Sequence, residues 1–287
     1  EGALSTRCAD ATDNGNGGRI IIWSDENTRY FGALSARGGP NGCNGGFAEV
    51  SGKVNLEFAG NADLTSSSGI NGSLLLDPLD IIVASTGGVL TSVVDQFADF
   101  PGNIITISPT ALNAVGGNVI LQAGRNIFFN DAVALGTAGA GLTATAGGAS
   151  FDAGQITLTQ GISTNGGAVT LQASAISGSG GISTAGGAVN LQTSGVLSYS
   201  GAVNAGAGNI TATGQNGVSS GNYTSTGAVT LNAPAGGISG NTIDGGTVTL
   251  NASSSISEYV NAATRIDAES SNSYVQLYNV ASQPLRL

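Results

Sequence analysis

Residues 161–172 read GISTNGGAVTLQ and residues 181–192 read GISTAGGAVNLQ. Residues 226–232 (TGAVTLN) and 245–251 (GGTVTLN) repeat the end of that pattern, so Val169, Val189, Ile210, Val229 and Val248 open equivalent stretches at intervals of 20, 21, 19 and 19. A unit this small cannot bury its own apolar face. Successive copies must supply the core, with like residues stacked along one axis. Within each copy, V-T-L-Q or V-T-L-N places Val and Leu on one side and Thr with Gln or Asn on the other, which is the period-two pattern of a strand. The Gly pairs that precede it suit corners that need positive φ.

A helix between copies has no room. The Gly, Ser, Thr and Asn that fill the intervals would each cost a few tenths to about 1 kcal/mol relative to Ala in a helix interior. The sequence therefore predicts an all-β chain, a right-handed parallel β-helix (solenoid) with coils of about 20 residues. At ~4.8 Å per coil, a uniform period gives about fourteen coils and a rod of roughly 65–70 Å.

Away from the repeat, three segments are distinguishable. Residues 1–85 form a less regular head richer in charge and aromatics, and residues 86–155 are transitional. In the latter, Val89, Val93, Val94 and Phe97 have helical spacing before Pro101, which predicts a short helix over 89–100. Residues 156–287 carry the regular repeats and end in coils where Tyr259, Tyr274 and Tyr278 bring aromatics back, as expected of capping or interface coils.

Composition excludes several classes. The chain has 287 residues, 47 of them Gly, with 9% charged and 40% hydrophobic residues, and the apolar positions recur in register, which disordered chains do not show. No apolar run approaches the ~20 residues that cross a bilayer, so no membrane insertion is expected. A net charge of −10 argues against nucleic acid as a partner. The sequence contains no Met and opens on no secretory leader, so it reads as a processed or excised piece of a longer product.

Candidate chemistry is sparse. GVSSG at 217–221 matches a nucleophile elbow, but a chain without His cannot build the usual triad, and Ser219 reads as a turn residue. The acid pairs Asp77/Asp80 and Asp95/Asp99 could serve glycoside chemistry or bind calcium, yet solvation and turn capping are the commoner uses. Asp10 and Asp13, within DATDNGNGG, are weak calcium candidates whose spacing fits no standard loop. Arg37 and Lys53 are the only bases near the acidic head after residue 30, so a polysaccharide lyase, which shares this fold, is the minor alternative. Thr-x-Thr occurs at Thr143, Thr157, Thr211 and Thr247, but T-L-Q and T-L-N interrupt what would otherwise be an ice-binding array. No catalytic residue, cofactor or metal site is assigned, and the chain is not expected to be an enzyme.

Cys8 and Cys43 are the only cysteines. Paired, they would close a loop worth roughly 4 kcal/mol and imply an oxidising compartment; unpaired, they are two buried thiols. Trp23, Tyr30, Tyr259, Tyr274 and Tyr278 either pack the wider end coils or stand exposed as interface or glycan contacts, which would make a sugar-binding module the nearer alternative.

The head carries a resemblance. Residues 17–23 (GGRIIIW), 31–38 (FGALSARG), 45–53 (GGFAEVSGK) and 72–78 (GSLLLDP), followed by Asp80 and Ile81, are similar to the filamentous-haemagglutinin-like exoproteins of bacterial two-partner secretion. The likeness covers about residues 15–85; beyond them only the style of repeat is shared. It implies a long right-handed β-helix carried through an outer-membrane transporter and then displayed, extracellular or at the bacterial cell surface, as a non-catalytic adhesin or fibre. Partners implied are a host-cell, matrix or glycan surface, together with end-to-end self-association through the end coils. The family's N-terminal secretion domain and Asn-Pro motifs do not occur in this sequence, which places it downstream of the segment the transporter recognises.

Overall fold

The structure is a computed structural model that describes residues 6–41, 43–85, 106–148, 151 and 153–279. Short strands follow one another through these residues, and every strand pairing among them is parallel. Each coil contributes up to three strands to three faces, and the coils stack as a parallel β-helix. No helix of the described residues is long and apolar enough to cross a membrane.

The repeat read from sequence is the register of the first face. Val169, Val189, Ile210, Val229 and Val248 are direct partners across successive coils, preceded by Leu142 and followed by Ile266. Two residues along, Leu171, Leu191, Ala212, Leu231 and Leu250 make a second inward column, and both columns are closed to solvent up to the last coil. Burying a Val or Leu side chain stabilises by about 1.5–3 kcal/mol. Repeated at every coil, this makes one continuous core from Ile20 to Val260, so the three segments of the sequence share a single interior.

The Gly pairs divide their work at the corners. Gly166 and Gly186 have φ of 84° and 115°, whereas a Cβ on the next residue, Gly167 or Gly187, would lie 1.8 Å or 2.1 Å from a carbonyl oxygen of the coil below. The first glycine turns the chain, and the second lets the coils approach.

Coil length is where the uniform period fails. First-face partners are 28 residues apart for Arg19 and Phe47, 26 for Phe47 and Ser73, 45 for Ser73 and Asn118, and 18 for Val248 and Ile266. Among the described residues the face therefore holds eleven strands, not fourteen. Ten spacings of ~4.8 Å span roughly 48 Å. Head coils spend the extra residues on long corners, and the 45-residue step includes residues 86–105, which lie outside the described residues.

Beyond the strand Ile81–Val83, Ile107 bridges both Phe58 and Val83 and so inserts between the second-face strands of two coils. A one-turn helix, Pro109–Asn113, then takes the place of a third-face strand. Ser108 caps it by accepting from the Ala111 N–H, Pro109 opens it, and Ala111 and Leu112 are buried. The expected helix over 89–100, with Asp95 and Asp99, lies outside the described residues. The helix at 109–113 was legible as Ser-Pro followed by Thr-Ala-Leu.

Candidate functional site

Polar side chains on the outside of the first face form ladders. Gln172 Nε2 donates to Gln192 Oε1 at 3.1 Å, Asn232 Nδ2 to Thr213 Oγ1 at 3.3 Å, and Asn251 Nδ2 to Asn232 Oδ1 at 3.0 Å. Amides thus interleave with threonines, and Thr143, Thr170, Asn190 and Thr211 share one column. Gln192→Ala should cost no more than about 1 kcal/mol in urea unfolding, because this ladder is solvated and each bond replaces one to water.

Corners carry a second set. Asn16 Oδ1 accepts from the Asn44 N–H and Asn44 Oδ1 from the Ile70 N–H, both at 2.9 Å, while Asn209 and Asn222 accept from Ala228 and Thr242 in the same way. The asparagine-rich composition has a mechanical use: each amide ties one coil to the next.

The acidic candidates are spread and occupied. Burial of Asp10 opposes its ionisation, but hydrogen bonds from the Arg37 backbone, Ser35 and the Arg37 guanidinium outweigh it and hold the carboxyl below the ordinary range. Asp13 is exposed, and among the described residues no group of three or more Asp, Glu or Cys is gathered to hold a metal. Asp80 does not pair with Asp77; it binds Arg125 and the Asn126 N–H. Asp77 instead faces Glu49, and burial together with that neighbouring charge raises its pKa. Arg37 is held between Asp10 and Asp63, and Lys53 is exposed in a turn, so the two bases do not converge on one groove. Cys43 is a free, half-buried thiol; Cys8 lies on the strand Thr6–Cys8, where side chains are not described.

Ser219 points outward in a column with Ser198, Ser239 and Ser257. On the inner side of the same strands run Tyr199, Ser220, Gly240 and Glu258, a polar column that the sequence reading missed. Tyr199 donates to the Gly180 carbonyl, and Ser220 Oγ reaches past Gly240 to Glu258 Oε1 at 3.0 Å. Glu258 Oε2 and the nearby Tyr223 hydroxyl are buried with no partner among the described residues. Burial pushes the Glu258 carboxyl up to about 7, against smaller opposing effects from Ser220 and the Tyr259 N–H. Burial likewise raises both tyrosine hydroxyls.

The aromatic candidates separate. Tyr30 is 2% exposed, stacks on Phe58 and donates to the Ala33 carbonyl, so it is a core residue and cannot meet a partner. Trp23 is exposed near Ile21 at one end. Tyr259, Tyr274 and Tyr278 are exposed by 49%, 59% and 40% at the other, and Tyr259 stacks on Tyr278 with ring centroids 4.8 Å apart.

Two concave regions among the described residues bear on binding. One, lined by Asn16, Arg19, Asn44, Phe47, Ile70 and glycines between them, follows a head corner. The other, about 370 Å³, runs beside Tyr274 and the serine column. No protein-family model and no curated protein sequence matches the chain.

Proposed function

We propose that this chain is a non-catalytic β-solenoid that works outside the cell or on its surface as a fibre subunit or adhesin stalk, stacking end to end. The observation that carries the reading is the match between the first and the last described strands of the first face. Among the described residues, Arg19–Ser24 pairs only with Phe47–Gly52, and residues 265–270 of the strand Ile256–Ser270 only with the first-face strand before them. Ile20 and Ile266 stand in one column, and Ile22 and Ala268 in the next. Ile22, Ile266, Ala268 and Leu277 are only partly buried.

A second copy placed head to tail would continue the backbone ladder and lay Ile20 over Ile266. Exposed strand edges pair with other chains unless they are blocked, and a heterologous contact of this kind propagates as a filament. The extracellular setting and passage through an outer-membrane transporter rest on the head motifs of residues 17–81. In sedimentation velocity, the mean mass should rise steadily with protein concentration. A constant monomer mass would argue for a lone stalk.

A further inference from the structure

The groove beside Tyr274 has features that a solvated ladder does not need. Its floor is the column Val196, Gly217, Gly237, Ser255 and Tyr274, taken from five successive coils. The two glycines remove side chains from the middle of that column, leaving Val196 and Tyr274 as raised ends, 48% and 59% exposed. Four spacings of ~4.8 Å make the trough roughly 19 Å long. Ser219, Ser239 and Ser257 line one side and Asn216 is on the other.

Several corner hydroxyls are spent on the protein itself: Ser174, Ser200 and Ser270 each donate to a backbone carbonyl. Among the described residues, the hydroxyls of Ser219, Ser239 and Ser257 and the amide of Asn216 have no such partner. Asp, Glu, Lys and Arg are all absent from the lining. The Tyr274 backbone is tied to the coil before it, because the Ile256 N–H donates to the Tyr274 carbonyl at 3.0 Å.

A flat aromatic ring at one end, apolar Val196 at the other and a row of neutral hydrogen-bonding groups between them complement a ligand with an apolar ring face and many hydroxyls. We propose that this trough binds a short neutral oligosaccharide, one ring stacked on Tyr274 and its hydroxyls meeting Ser219, Ser239, Ser257 and Asn216. The volume lies at the lower end of the range for small-ligand sites, and stacking on tyrosine supplies the main specific contact. With no charge in the lining, affinity does not depend on salt. The inference deepens the adhesive side of the proposed function and rests on it, but not on end-to-end stacking.

The test is isothermal titration calorimetry of the full chain with cello-, manno- and galacto-oligosaccharides, at low and high salt, with an oligogalacturonate as the charged comparison. At least one neutral series should bind with the same affinity at both salt concentrations. Tyr274→Phe should retain that affinity, and Tyr274→Ala should weaken it about tenfold, as loss of one stacked ring implies. The melting temperature and sedimentation of Tyr274→Ala should match those of the parent chain. Failure of every neutral sugar at millimolar concentration, equal binding by Tyr274→Ala, or salt-sensitive binding of the acidic oligomer alone would each overturn the proposal. A chain that binds sugar but stays monomeric supports the trough and removes the fibre; one that assembles but binds nothing does the reverse.

Discussion

Gly187→Ala should destabilise the solenoid by at least about 4 kcal/mol, in the range that single substitutions seldom reach. The new methyl would lie 2.1 Å from the Gly167 carbonyl oxygen and 2.4 Å from its carbon. Both atoms are backbone, so no side chain can swing aside, and relief requires parting two coils that share a hydrogen-bonded ladder. Gly186→Ala is the matched comparison. Nothing stands within 4 Å of its Cβ position, and only its φ of 115° opposes a side chain, which should cost about 1–3 kcal/mol. Urea unfolding of the two variants separates crowding from backbone conformation. Equal losses would mean that the second glycine of the pair is not a spacing device.

Glu258→Gln should stabilise the chain at pH 8 and leave it nearly unchanged at pH 4. The folded carboxyl is raised from 4.5 to about 7, so the folded state keeps a proton that the unfolded chain gives up between those values. The stability tied to that proton is therefore complete below about pH 4.5 and lost as pH rises through about 7. A displacement of this size corresponds to about 3 kcal/mol. Gln copies the protonated form and can still accept from Ser220. The groups facing Glu258 among the described residues are Ser220 and Tyr223, with the Tyr259 N–H and no cation among them. The check is the difference in unfolding free energy between variant and parent at the two pH values, which cancels the titration of the other carboxylates. A difference independent of pH would show that Glu258 is ionised in a solvated place.

The inner columns were legible because near-identical units stack in register, so Val169 to Val248 announced their own partners. Coil number was not, since a period measured over residues 161–251 says nothing of corner length elsewhere. In the head, 26 and 28 residues make one turn. Tyr30 could have been placed correctly: in Asn27–Tyr30, alternation sends Thr28 and Tyr30 inward and Arg29 outward to Glu57. Glu258 resisted such a reading because ISEYV alternates cleanly only if a carboxylate is accepted as an inward residue. The serine column of the trough was in the sequence all along. Ser198, Ser219, Ser239 and Ser257 recur at 21, 20 and 18, the same period as the valines, but a search for catalytic motifs takes Ser219 singly and misses the row.

The most direct test of the central claim is negative-stain electron microscopy of the purified chain over rising protein concentration. The account predicts filaments one solenoid wide with an axial repeat of roughly 53 Å, eleven coils at ~4.8 Å. Separate short rods at every concentration would contradict it.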